Sequence, residues 1–221
     1  MKAFMLAAGK GKRLLPFTED NPKPLIKVGG ISLIEHNLLS LRKSNIEEVV
    51  INLHHFGEKI INHLGDGSRY GMKISYSIEE ELLGTGGGIN KALHHFDEPF
   101  IVLSGDTWSQ FNMEYLSLDP DVLAHMVLVP NPESNFEGDV ALVDGRVKVN
   151  KTLDQYTFSG ISILSPELFI NKEVEKFELW KDLLMPATEA DLVSGEIYHG
   201  DFKNLNTLED VEKLDCILSE E

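Results

Sequence analysis

The chain has 221 residues, 42% of them hydrophobic and 25% charged, and its 20 Lys and Arg against 36 Asp and Glu give a formal net charge of −16. These proportions suit a folded chain with a sizeable core and exclude a disordered, collagen-like or purely coiled-coil one. The acidic balance argues against a nucleic-acid or anionic-membrane partner, and one cysteine, Cys216, can build neither a disulfide framework nor a cysteine zinc site.

Phe4-Met5-Leu6 reads as a short buried strand that leads directly into glycines. Residues 32–44 set Leu33, Ile34, Asn37, Leu38 and Leu41 on one helical stripe, with Ser32 as N-cap and Glu35 three positions on. Val49–Leu53 is a strand, 57–64 a short helix, and Lys73–Ser77 alternates as a strand does. A glycine turn at 84–88 opens a helix to about Phe96, and Phe100–Leu103 is a continuous apolar strand. The second half is denser in short strands, at 125–129, 139–143, 146–149 and 158–164, with Asp144-Gly145 as a hairpin turn. Helices return near 166–170, 177–190 and 207–218. The alternation predicts a Rossmann-like α/β/α architecture in three layers. Its sheet is expected to be mainly parallel, with a small antiparallel extension in the second half. One domain over 1–221 is expected. No apolar run approaches the ~18 residues of a membrane span, and the start is too short for a secretory signal, so a cytoplasmic protein is expected.

Four motifs carry candidate chemistry. Ala8-Gly9-Lys10-Gly11-Lys12-Arg13-Leu14 follows the first strand; glycines there let backbone amides approach a phosphate, and Lys10, Lys12 and Arg13 offset the acidic background. It is neither a Walker A loop nor G-x-G-x-x-G, because Leu14 stands at the third glycine position. Pro22-Lys23-Pro24 fixes the backbone around one lysine, a point charge suited to a phosphate oxygen. Gly84-Thr85-Gly86-Gly87-Gly88 makes a turn that a ligand or another chain segment can approach closely. Ser104-Gly105-Asp106 puts a carboxylate at the carboxyl end of a strand, where open α/β sheets bind ligands and where Mg²⁺ finds an oxygen ligand beside substrate phosphates. The adjacent pairs His54-His55 and His94-His95 lack the spacing of a helical metal site.

In this order the four motifs resemble the sugar-1-phosphate nucleotidyltransferases, or NDP-sugar pyrophosphorylases, over essentially the whole chain. The short length, Leu64–Ser68, Gly86–Gly88 and Thr157–Ser162 are similar to members that act on N-acetylmuramate 1-phosphate in peptidoglycan recycling. The resemblance implies in-line attack of a sugar-phosphate oxygen on the α-phosphorus of a nucleoside triphosphate, assisted by Mg²⁺, with loss of pyrophosphate. It gives Ala8, Gly9 and Gly11 to the triphosphate, Arg13 to the leaving pyrophosphate, Lys23 to the reacting phosphates, Gly84 and Thr85 to the base, and Asp106 to the metal. Glu79 falls where the family often reads the base edge; an ionised carboxylate there accepts from the N3–H of uracil or thymine, which favours UTP or dTTP over CTP, though guanine also has a donor; UTP is the first expectation. Gly138, Asp139, Ser159 and Gly160 match positions near the sugar, and Asn150 and Lys151 match the sugar phosphate. No β-helix acyltransferase domain is expected at the C-terminus, and the chain is expected as a monomer or homodimer.

One departure stands out. The family pattern W-x-D-V-G-T is here Phe202-Lys203-Asn204-Leu205-Asn206-Thr207, so the second metal ligand becomes the neutral amide of Asn204. That weakens cation binding by one charge. Thr207 and Asp210 keep a capping box. The alternatives left open are a guanylyl- or cytidylyltransferase on another sugar or alcohol phosphate, and a nucleotide-binding sensor with weakened catalysis.

Overall fold

The computed structural model describes residues 1–219, apart from the Lys12 side chain. The chain runs β1 (Lys2–Leu6), β2 (Lys27–Val28), β3 (Ile31–Ser32), α1 (Leu33–Lys43), β4 (Glu48–Leu53), α2 (Gly57–Leu64), β5 (Lys73–Ile78), α3 (Gly84–Lys91), β6 (Phe100–Ser104), β7 (Thr107–Ser109), β8 (Ala124–Val129), β9 (Val140–Val143), β10 (Arg146–Lys148), β11 (Gln155–Leu164), α4 (Met185–Glu189), β12 (Val193–Ile197), β13 (Phe202–Asn204) and α5 (Leu208–Ser219). The capping signals act as their spacing predicts. Ser32 and Glu35 close a reciprocal box at the start of α1. Before α5, Thr207 and Asp210 exchange hydrogen bonds, with Asp210 accepting from Thr207 N at 2.8 Å and donating its own amide to Thr207 Oγ1 at 3.2 Å.

Nine strands form one sheet in the order β5-β4-β1-β6-β11-β8-β12-β10-β9. The first-half strands β5, β4, β1 and β6 are all parallel. The expectation of a mainly parallel sheet with a small extension needs correction. β11 runs antiparallel to β6, β8 and β9, β10 runs antiparallel to both β12 and β9, and only β12 and β8 restore a parallel pair. The reason is connection length. Asp144-Gly145, with φ of 50° and 76°, joins β9 to β10 directly, whereas a parallel pair needs a crossover of a dozen residues or more.

Side chains alternate to the two faces of this sheet. Phe4 and Val102 join a cluster with Ile89 of α3 and Ala187 of α4. Ala3, Met5, Ile101 and Leu103 join another with Ile34 and Leu38 of α1 and Ile60 of α2. Helices therefore cover both faces. A third, smaller cluster of Val28, Leu33, Trp108, Leu205 and Leu214 ties the β2–β3 hairpin to the β7–β13 ribbon and α5. Two of its members, Trp108 and Leu205, follow Asp106 and Asn204 closely in the chain.

Candidate active site

A cavity of about 430 Å³ opens at the carboxyl ends of β1, β4 and β6. Ala8, Gly9, Gly11, Arg13, Lys23, Gly84, Thr85 and Asp106 all line it. Four motifs spread over about a hundred residues of sequence thus meet in one place.

Each wall has a local cause. Gly11 has φ +60°, and a Cβ there would lie 3.0 Å from Thr18 Cγ2 and 3.2 Å from Lys23 Cβ, so only glycine lets the turn fold back on the lysine. Thr18 Oγ1 donates to Gly11 O at 2.9 Å and fixes that fold. A Cβ at Gly9 would meet no protein atom within 4 Å, so the space beside this cavity-lining backbone is open to a ligand. Across the cavity, Lys23 Nζ donates to Asp106 Oδ2 at 2.8 Å; the lysine side chain is 8% exposed and the aspartate 38%. Asp106 is held from behind, because Gly105 N donates to Leu6 O and Leu205 N donates to Asp106 O. Arg13 is exposed at the mouth and has no acidic partner among the described residues.

Glu79 takes a different place from the one its spacing suggested. It is 2% exposed and stands behind the cavity wall. Its Oε1 accepts from Asn52 Nδ2 at 2.7 Å and its Oε2 from Leu83 N at 2.9 Å. Asn52 Oδ1 in turn accepts from Ala7 N at 2.8 Å. This buried chain of hydrogen bonds ties the turn after β1 to the glycine helix, and Glu79 is not among the residues that line the cavity. A Cβ at Gly88 would lie 2.6 Å from Glu79 Oε1, which explains that glycine.

The residues matched to the sugar lie apart from the cavity lining. Ser159 is 2% exposed; its hydroxyl donates to Val127 O at 2.7 Å and accepts from Ile161 N, so it shapes a bulge in β11 instead of meeting a ligand. Gly160, at φ +83°, presses that bulge against Ser104 of the cavity wall. Asp139 accepts from Asn135 Nδ2 and from Phe158 N, and Lys151 Nζ donates to Gly138 O at 3.1 Å. Asn150 is exposed and closes its own turn onto Thr152. Asn204 is exposed on β13, opposite Thr107. Two polar lining residues escaped the sequence reading. Asn52 had a signal, as a lone amide in an apolar strand. Glu178 had none.

Comparison with known proteins bears on this arrangement. The family model described as nucleotidyl transferase matches residues 2–119. The chain belongs to the nucleotidyl transferase family. An N-acetylmuramate alpha-1-phosphate uridylyltransferase of Neisseria meningitidis serogroup B is 37% identical over 218 residues, 94% of each chain. A UTP–glucose-1-phosphate uridylyltransferase of Synechocystis is 28% identical over 76% of this chain, which spans half of that longer protein. The crystal structure of HddC from Yersinia pseudotuberculosis, complexed with GMP-PN, superposes with a TM-score of 0.83 and 25% identity over 98% of both chains. The motif resemblance to sugar-1-phosphate nucleotidyltransferases is therefore borne out, and the protein is an enzyme of that kind.

Proposed function

We propose that this nucleotidyl transferase moves UMP from UTP to N-acetylmuramate 1-phosphate or a related hexose 1-phosphate. The observation that carries the reading is the open glycine turn at Gly9–Gly11 facing the Lys23–Asp106 pair across one cavity. The uridylyl and N-acetylmuramate assignment rests on the Neisseria relative. The layered chain is taken as one Rossmann-like domain.

In the proposed reaction an oxygen of the sugar phosphate attacks the α-phosphorus of UTP in line. A new phosphorus–oxygen bond forms, the bond to the bridging oxygen breaks, and pyrophosphate leaves with that electron pair. No covalent nucleophile is required, so the protein's work is positioning and charge stabilisation. Backbone amides of Ala8, Gly9 and Gly11 cradle the triphosphate. Arg13, free of a carboxylate partner among the described residues, meets the leaving pyrophosphate. Lys23 moves from Asp106 to the reacting phosphates, a short transfer for a flexible ammonium. Gly138, Asp139, Gly160 and Asn150 fall to the sugar side.

The residues also fit a Mg²⁺ ion that arrives with the nucleotide. Among the described residues no group of three or more His, Cys, Asp or Glu could hold a metal. Asp106 supplies one partly exposed carboxylate, and the Asn204 amide lies on the adjoining ribbon. Mg²⁺ is commonly held by one or two carboxylates together with substrate phosphates and water. When bound there it would neutralise charge on the reacting phosphates.

The test is a pyrophosphate-release screen of four nucleoside triphosphates against a panel of sugar 1-phosphates with Mg²⁺. Turnover with UTP and N-acetylmuramate 1-phosphate is expected. Turnover with GTP or CTP alone would overturn the nucleotide assignment. The second reading, a nucleotide-binding sensor, is favoured by Asn204 in the metal position; calorimetric nucleotide binding without any turnover would establish it.

A further inference from the structure

The glycine run after Leu83 is a platform for another piece of chain. Gly86 N and Gly87 N both donate to Phe177 O, at 3.1 and 3.2 Å, and Phe177 N donates to Leu83 O at 3.0 Å. A Cβ at Gly86 would lie 2.3 Å from the Phe177 ring, and one at Gly87 would lie 2.1 Å from Glu175 O. Only glycines allow this strap, residues 175–179, to lie flat on the start of α3. The strap carries Glu178 onto the wall of the nucleotide cavity beside Gly84 and Thr85.

The polar groups at that end of the cavity are nearly all spent. Both ends of the Asn52 amide and both oxygens of Glu79 are engaged. The Thr85 hydroxyl donates its one proton to Glu178 Oε2 at 2.9 Å and accepts from Leu179 N at 2.9 Å. Glu178 Oε1 has no hydrogen-bond or ion-pair partner among the described residues. Glu178 is exposed, so solvent can satisfy this oxygen in the free protein; beside a bound triphosphate, ligand protons directed at it would offset the like-charge repulsion. Uracil offers a carboxylate a single donor, N3–H, whereas neighbouring hydroxyls offer two.

We propose that Glu178 is a specificity-determining residue that accepts hydrogen bonds from ligand hydroxyls, either the 2′,3′ pair on the ribose of the nucleotide or a hydroxyl of the sugar phosphate. This rests on the proposed nucleotidyl transfer to a sugar 1-phosphate, and it makes the strap a selector for hydroxylated ligands.

The experiment compares wild type with Glu178→Gln, which keeps an oxygen for Thr85 and turns the free acceptor into a donor. Calorimetry measures UTP against 2′-deoxy-UTP, and kinetics measure KM for the sugar 1-phosphate. If the ribose is the source, wild type prefers UTP by about tenfold or more and the variant brings the ratio close to one, with deoxy binding unchanged. If the sugar is the source, the ratio stays constant while KM for the sugar 1-phosphate rises by about tenfold at steady kcat. Unchanged constants for all three ligands overturn the proposal. So does a uniform loss accompanied by a lower melting temperature, which would mark a purely structural strap. If the protein binds another ribonucleotide in place of UTP, that nucleotide and its deoxy form are compared, so a wrong base assignment fails separately.

Discussion

Replacing Glu35 by Gln tests how strongly the polar cluster at the start of α1 anchors the fold. Burial alone would push the Glu35 carboxyl upward. Hydrogen bonds from the Ser32 hydroxyl and amide, from His63 and from Tyr70 outweigh it and lower the pKa from 4.5 to about 2. The distances agree: Ser32 Oγ is 2.6 Å from Oε2, His63 Nε2 3.0 Å, and Tyr70 OH 2.9 Å from Oε1. The side chain is 15% exposed, so solvent screening is limited. A depression of this size corresponds to about 3 kcal/mol of stability, at roughly 1.4 kcal/mol per pK unit. The folded value lies below the unfolded one, so the stability is complete above pH 4.5 and drains away as the pH falls toward 2. Urea unfolding of both proteins at neutral pH and near pH 3 reads this directly. Other carboxylates shift both curves alike, and the gap between them isolates Glu35. That gap should narrow by about 2 kcal/mol on acidification. A gap constant with pH would refute the assignment, whatever its size.

Three further outcomes follow from the cavity. Asp106→Asn leaves the Lys23 ammonium, 8% exposed, without its carboxylate; urea unfolding should show a loss of about 1–2 kcal/mol, reduced from the buried-pair figure because Asp106 is partly exposed, and pyrophosphate release should fall by about 100-fold or more. Gly160→Ala puts a Cβ 2.6 Å from Ser104 Oγ at φ +83°; denaturant unfolding should show a cost of about 2–3 kcal/mol from strain and crowding together. Asn204→Asp adds a carboxylate on the ribbon beside Asp106; the Mg²⁺ concentration for half-maximal turnover should drop, and an unchanged titration would remove position 204 from the metal site.

The first half of the fold was legible because its signals are local. Continuous apolar runs gave β1, β4 and β6, and the Ser32–Glu35 spacing gave the start of α1. The ribbons β2–β3 and β7–β13 were not legible, since strands of two or three residues carry no period. Glu79 shows how spacing misleads. Six residues before Thr85 is a plausible distance for a base reader, but what occupies its carboxylate comes partly from Asn52, 27 residues away. The glycines at 84–88 correctly signalled a close approach, and a composition signal cannot say whether ligand or chain does the approaching. Here a segment 93 residues distant does. Glu178 was invisible for the same reason.

The net charge of −16 becomes informative once it is divided between surface and cavity. Among the described lining residues the charged side chains are Arg13, Lys23, Asp106 and Glu178, two positive and two negative, so their sum is zero. A nucleoside triphosphate brings about three to four negative charges, and neither these side chains nor the acidic surface offsets them. Backbone amides of the glycine turn contribute partial charges only. On the proposed function a divalent cation carried by the nucleotide would be the main compensation, and with an amide at Asn204 where the family pattern has a carboxylate the protein would add little to hold that cation alone. Calorimetry should therefore show UTP binding weakened by about tenfold or more when Mg²⁺ is chelated, and negligible Mg²⁺ binding without nucleotide. Equal UTP affinity with and without Mg²⁺ would refute this balance and mean that side chains outside the described lining, Lys10 first among them, reach the triphosphate.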